Sequence, residues 1–219
     1  MSLRLSLPRK GVLRPNDAHD PLPYYYHPVI GWLYRHRLQM GLDLLPKGGR
    51  RILEVGVGSG VLVPTLTARY EEYTGTDLVL ADGLHVHVAP ECRATFRQAD
   101  LLKDGDLPAD HFDAIVCFSV LEHIADAEGA AAGLARALAP GGTLVTGYPM
   151  VNAMMTRAFD VIGFRDITEH HVSSPATISA ALSRVLQPVA RAAFPPLAPV
   201  EAALYQCSSW TKPAPALAS

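Results

Sequence analysis

Apolar and polar positions along the chain predict an alternation of buried strands and helices. Ile52, Leu53 and Val55 form a short apolar run of the kind a strand covered on both faces shows. Residues 61–70 then read as a helix, with Pro64 in its first turn, where proline is tolerated. Further strands are expected at 72–77, near 94–98 and at 143–147. The continuous apolar run 114–118 reads as a central parallel strand. Residues 80–90 predict a short helix or loop, and 105–110 a loop. Residues 126–139 are alanine-rich and helical, with Asp126 as cap. This order of elements belongs to an α/β fold with a doubly wound, mostly parallel sheet.

The two ends of the chain differ from this middle. Residues 1–22 hold Pro8, Pro15 and Pro21 and predict an irregular arm. From Pro28, helical spacing places Val29, Trp32, Leu33, Leu38, Leu42 and Leu45 on one apolar face. Beyond Pro149, residues 151–162 read as a helix and 163–174 as a loop. Ser174-Pro175 starts another helix by its cap and proline signals and carries it to near Leu186. Residues 187–194 and 202–212 predict the last two strands, followed by a loose proline- and alanine-rich tail.

Between the first strand and its helix lie Gly56, Gly58 and Gly60. Glycine allows a sharp turn and lets a ligand approach the main chain, and a helix N-terminus follows with its amide groups free. A dinucleotide fingerprint would need a third glycine at position 61, where Val61 stands, which disfavours a nicotinamide cofactor. Asp77 ends the second strand about 20 residues further on, where a carboxylate can accept hydrogen bonds from both hydroxyls of a ribose.

The spacing Glu54-x-Gly56-x-Gly58-x-Gly60 resembles motif I of the class I S-adenosylmethionine-dependent methyltransferases. Asp77, the 94–101 stretch ending in Asp100 and Leu101, and the glycine turn at 141–142 resemble that family's later motifs. The likeness covers about residues 45–150. It implies a Rossmann-like, seven-stranded sheet with an antiparallel last strand and helical lid elements. It implies S-adenosylmethionine as cofactor, leaving as S-adenosylhomocysteine. Glu54 would then support the methionine part, and the glycine backbone would lie against amino acid and ribose. Asp77 and Leu78 would meet the ribose side, Asp100 the adenine amino group, and the Leu101 amide the ring. Phe118 and Ser119, at the end of the fourth strand, would line the methionine side. The expected division is an arm and helical lid over 1–45 and a methyltransferase domain over 46–219, with an acceptor-side insertion at about 150–186.

Composition narrows the acceptor. Apolar residues make up 49% and charged residues 18%, which suits a sizeable buried core. Net charge is −2 and no Lys/Arg block stands out, so no nucleic-acid groove is indicated and a small-molecule acceptor is expected. Cys92, Cys117 and Cys207 form no C-x-x-C pair, so neither a disulfide framework nor a zinc site is indicated. His85 and His87 lack further ligands at metal-binding spacing and read as surface residues. No apolar run approaches the roughly 20 residues needed to span a bilayer, and the N-terminal apolar stretch is too short for a signal peptide, so a cytoplasmic protein is expected. The oligomeric state stays open, a dimer included.

The tyrosines at 24–26 with Trp32 and Tyr34 read first as ordinary packing and second as a lid over cofactor and acceptor. A membrane-contact helix is the weaker third reading, since its basic face, Arg35 and Arg37 with two histidines, is small. Met150, Met154, Met155, Phe159 and Phe164 could form an adaptable acceptor wall or plain core. An acceptor hydroxyl may need a base, and histidine suits that task near neutral pH. His123, in a Leu-Glu-His-Ile context similar to ubiquinone-biosynthesis-type methyltransferases, is one candidate. His171, in the insertion, is the other; His170 beside it is expected to be idle. O-methylation of a small molecule is the leading expectation. The alternatives are C- or N-methylation of a metabolite or a lipid- or quinone-like acceptor, and a cofactor-binding protein without catalysis.

Overall fold

The structure is a computed structural model that describes residues 3–18, 20–47, 49–103, 105–150, 172–196 and 203–214. Seven strands form one sheet: β1 (Arg51–Val55), β2 (Glu72–Asp77), β3 (Arg93–Gln98), β4 (Phe112–Phe118), β5 (Leu138–Pro149), β6 (Gln187–Phe194) and β7 (Tyr205–Thr211). Their order is β3-β2-β1-β4-β5-β7-β6. β1, β2, β3, β4 and β5 pair in parallel, while β7 runs antiparallel to both β5 and β6. The chain leaves β1 toward β2 and β3 and returns to β4 on the other side. That reversal opens a crevice at the carboxyl ends of β1 and β4, where ligands bind in open α/β sheets.

Among the described residues five α-helices accompany the sheet: α1 (Leu22–Tyr25), α2 (Gly31–Asp43), α3 (Val63–Thr67), α4 (Ala127–Ala137) and α5 (Pro175–Val185). The caps stand where sequence placed them. Asp126 accepts from the Gly129 amide at 2.8 Å, and Ser174 from the Thr177 amide at 3.1 Å. Pro64 lies in the first turn of α3, which is shorter than the expected 61–70 helix. β4 is buried along Ala114–Cys117 as its apolar run predicts. One face of the sheet packs on α4 and α5 through Ile115, Leu134 and Leu182. The other packs on α2, α3 and the arm through Leu38, Leu42, Ile52 and Leu66.

Two expectations shift here. The arm carries no regular structure before α1, yet it is tied down. Gln39 on α2 receives the Leu5 amide and donates to the Leu3 carbonyl, the Ser6 amide reaches Thr65 Oγ1, and Tyr26 Oη donates to the Pro8 carbonyl. The apolar face of the first long helix also differs. Val29 precedes the helix and is 65% exposed, and Trp32 is 52% exposed. The buried face is Tyr34, Leu38, Met40, Gly41 and Leu42. The reason is Gly41, whose missing side chain admits the Phe118 ring from β4; a Cβ there would lie 2.3 Å from Phe118 Cζ. Close approach at Gly41 rotates the helix onto that face and turns Trp32 outward. The expected helix at 151–162 lies outside the described residues, as do Met154, Met155, Phe159, Phe164, His170 and His171.

Ile115 is fully buried between the sheet and α4, so truncation leaves a cavity. Ile115→Ala should cost about 2–5 kcal/mol in urea denaturation. Val86→Ala, at a residue 77% exposed, should stay within about 0.5 kcal/mol. Equal effects at the two positions would mean that the sheet is not packed as described.

Candidate functional site

The β1 turn makes a cradle. Gly56, Gly58 and Gly60 have φ of 78°, 49° and 81°, a region that side chains rarely adopt. At Gly56 a Cβ would also lie 2.2 Å from Val120 Cγ2, so glycine is required there twice over. The amides of Gly56 and Val57 both donate to the Thr76 carbonyl, at 2.8 and 3.0 Å. At Gly58 the only atom within 4 Å of a built Cβ is Asp20 Oδ2, at 3.6 Å. The loop is thus held tightly by β2 and open on its outer face. An elongated ligand with a ribose and a polar amino acid end fits this cradle.

Asp77 stands at the end of β2 beside it. Its Oδ2 accepts from the Gly58 amide and its Oδ1 from the Leu78 amide, both at 2.8 Å. The Val79 amide adds a longer bond to Oδ1 at 3.4 Å, and since a carboxylate has about four acceptor sites, the free capacity is on Oδ2. Leu78 is exposed at the cleft. Asp100 follows β3, half-buried, with Oδ1 accepting from the Leu102 amide. The Leu101 side chain is buried against α4. Glu54 lies under the loop, 4% exposed, and its Oε2 accepts from Tyr73 Oη at 2.6 Å. Burial pushes the Glu54 carboxyl up to about 8, against a smaller opposing pull from Tyr73.

The arm crosses the mouth of this cradle. Asp20 Oδ1 accepts from Ser59 Oγ at 3.2 Å and from the Leu22 amide, while Asn16 Nδ2 donates to the Val79 carbonyl. Residues 16–22 therefore bridge the glycine loop and the end of β2. No local pattern marks Asp20 as the link to the glycine loop, because Ser59 is 39 positions away.

Next to the cradle, the end of β4 turns through Ser119, which has φ 56° and no glycine to ease it. The Ser119 amide donates to the Gly147 carbonyl at 2.7 Å, and its Oγ lies 3.1 Å from Tyr205 Oη at the start of β7. Strained backbone of this kind is kept where the surroundings force it, often at functional sites. Phe118 packs between Gly41 and Gly147. His123 is exposed at the end of a single 3₁₀ turn after β4. Its neighbour Glu122 is 2% exposed, and neither carboxylate oxygen has a hydrogen-bond partner among the described residues. Burial raises that carboxyl to about 7.

Arg37 and Tyr205 complete this wall, and sequence analysis missed both as site residues. The Arg37 guanidinium stands 4.2 Å from the Tyr34 ring centroid, 5.6 Å from that of Tyr25 and 5.4 Å from that of Tyr205. Tyr34 and Arg37 are three apart on a helix and share a face, which was the one legible signal. Tyr205 comes from a strand that no local pattern ties to the site. No group of three metal-ligating side chains and no helix long and apolar enough to cross a membrane occur among the described residues.

Comparison with known proteins now adds a class. Residues 53–146 match a family model described as a methyltransferase domain. A ubiquinone biosynthesis O-methyltransferase of Alkalilimnicola ehrlichii is 36% identical over 101 residues, covering 44% of this chain and 40% of that protein. The chain therefore spans about two fifths of that relative's length. Among solved structures, the N-methyltransferase NodS of Bradyrhizobium japonicum, in complex with S-adenosylhomocysteine, has a TM-score of 0.63 at 20% identity. It covers 91% of this chain and 95% of its own. Geranyl diphosphate C-methyltransferase of Streptomyces coelicolor has a TM-score of 0.64 at 13% identity, with 91% and 88% covered. The segment 53–146 is thus similar to methyltransferase domains, and the sheet around it has the fold of those two methyltransferases. Both of those structures hold S-adenosylhomocysteine, the product form of S-adenosylmethionine.

Glu54 gives this site a pH signature. An unfolded glutamate ionises near 4.3 and the folded one near 8, so in that window only the folded chain holds the proton. Its stabilising contribution is complete below about 4.3 and is lost as pH rises toward 8. Thermal melts of Glu54→Gln between pH 5 and 8.5 should therefore fall less steeply with pH than those of the wild type. Parallel profiles would show that Glu54 is not held neutral.

Proposed function

We propose that the chain is an S-adenosylmethionine-dependent enzyme that methylates a small-molecule acceptor, and that the atom methylated is oxygen. One observation carries the reading: the open glycine cradle and the polar wall of Ser119, Tyr205 and Arg37 stand side by side at the carboxyl edge of β1 and β4. The O-methyltransferase similarity of the central segment supports oxygen over nitrogen or carbon.

When bound, the cofactor supplies a methyl group on a positive sulfonium, which an acceptor displaces in line. The chain's own work is to bind, align and exclude water. In this reading Asp77 accepts hydrogen bonds from the ribose hydroxyls, and Leu78 covers them. The main chain at Gly58 and Gly60 lies against the amino acid end, with Glu54 and Gly56 fixing the loop beneath. Asp100 and the Leu101 amide take the adenine edge, and Ser119 with Phe118 bounds the methionine side. The arm, latched through Asp20 to Ser59, closes the mouth over it. His123, on the turn after β4, or His171, from the segment before α5, takes the acceptor proton.

Two measurements test this. Asp77→Ala removes charge-assisted hydrogen bonds of about 1.5–3 kcal/mol each. Calorimetry should show S-adenosylhomocysteine binding at least tenfold weaker with an unchanged fold; equal affinity would take Asp77 out of the site. With labelled cofactor and a panel of hydroxylated acceptors, His123→Ala should lower turnover roughly 10²–10⁴-fold at little change in cofactor affinity if it is the base. If His171 is the base, the loss moves to His171→Ala. Near-normal turnover in both single variants and the double variant would leave catalysis to proximity and desolvation. Transfer only to amine or carbon acceptors would overturn the oxygen assignment.

A further inference from the structure

Arg37 is a cation held in an unusual setting. Three phenol rings surround its guanidinium within 6 Å, and its one hydrogen bond to a described side chain runs from Nη2 to Tyr25 Oη at 3.1 Å. Its Nε–H is buried and has no acceptor among the described residues. No carboxylate lies within ion-pair distance of it among the described residues. A guanidinium stays charged under all ordinary conditions, so it cannot escape burial by losing its proton. Tyrosine faces offset only part of the lost hydration. A buried donor left unmade costs more than a typical bond returns, which marks a partner to come.

The place points to the acceptor. Tyr205 lies beside Ser119 at the end of β4, the α2 carbonyl of Arg37 receives Cys207 Sγ on β7, and Gly147 closes the gap from β5. Glu122 is a second, independent polar group that calls for a partner. Both of its oxygens are buried with no hydrogen-bond partner among the described residues, and its carboxyl lies near enough to feel Arg37 while acting on Tyr148 and Tyr205. Burial weakens the charge on Glu122, while Arg37 keeps its own.

We propose that Arg37, caged by Tyr25, Tyr34 and Tyr205, is an anion-recognition residue of the acceptor site, and that the acceptor is a small organic acid. Its carboxylate pairs with the free edge of the guanidinium, and its flat or apolar body lies among the tyrosine rings. A planar guanidinium edge matches a carboxylate by two parallel hydrogen bonds, which a lysine ammonium cannot copy. Arg37 acts here in binding and orientation; no proton transfer is assigned to it. The inference rests on the acceptor side of the site belonging to a methyltransferase, as argued above.

The test uses the full chain saturated with S-adenosylhomocysteine, with benzoate and its neutral isostere benzamide as probes, each titrated by ligand-observed NMR. Benzoate should bind at least tenfold more tightly than benzamide. Arg37→Gln should weaken benzoate at least tenfold, leave benzamide unchanged, and leave S-adenosylhomocysteine affinity within about twofold. Arg37→Lys should fall between, because it keeps the charge and loses the fork; it carries the test if Arg37→Gln does not fold. No benzoate binding by the wild-type complex, equal affinity for the two probes, or a benzoate affinity unchanged by both variants overturns the proposal. Failure of the wild type to bind S-adenosylhomocysteine at all would instead defeat the methyltransferase reading, so the two failures are distinct.

Discussion

The absence of a side chain at position 56 is what the rest of the site depends on. Val120 Cγ2 occupies the space that a Cβ would take, and the adjoining amides of Gly56 and Val57 converge on the single carbonyl of Thr76. Through this one turn the carboxyl ends of β1, β2 and β4 are brought into mutual contact. The carboxylate of Asp77, the open loop at Gly58 and the strained Ser119 all adjoin it. Any larger residue would have to push β4 away from β1, and the crevice of the parallel sheet would open at its centre.

Much of this was legible because it is local. The apolar runs at β1 and β4, the glycine spacing, Asp77 and the caps Asp126 and Ser174 are each fixed by interactions within a few residues, and all stand where they were expected. What was not legible depends on contacts between distant segments. The buried face of α2 could not be read from apolar periodicity, since Gly41 sets it by admitting Phe118 from β4. Arg37 was read as part of a small basic face. Its cage needs Tyr205, 168 positions along the chain at the start of β7. Asp20 likewise takes its meaning from Ser59.

The polar interior of the site is arranged by burial as much as by pairing. Glu54 and Glu122 are both pushed toward the neutral form by desolvation, while Arg37 has no such route. The chain as a whole carries −2, and that figure says little about a sheet edge where burial favours the neutral form of two carboxyls and leaves one cation fixed.

The position of β7 has a consequence for the order in which the molecule comes together. Among the described strands it comes last in sequence, yet it lies between β5 and β6. During synthesis β6 is made with no neighbour to accept it, and β5 presents an unpaired edge, until residues 205–211 have left the ribosome and inserted between them. Tyr205 arrives in that final step and closes the ring of phenols around Arg37. The glycine turn can be complete while the acceptor wall is still missing, so the nascent chain acquires its two half-sites one after the other.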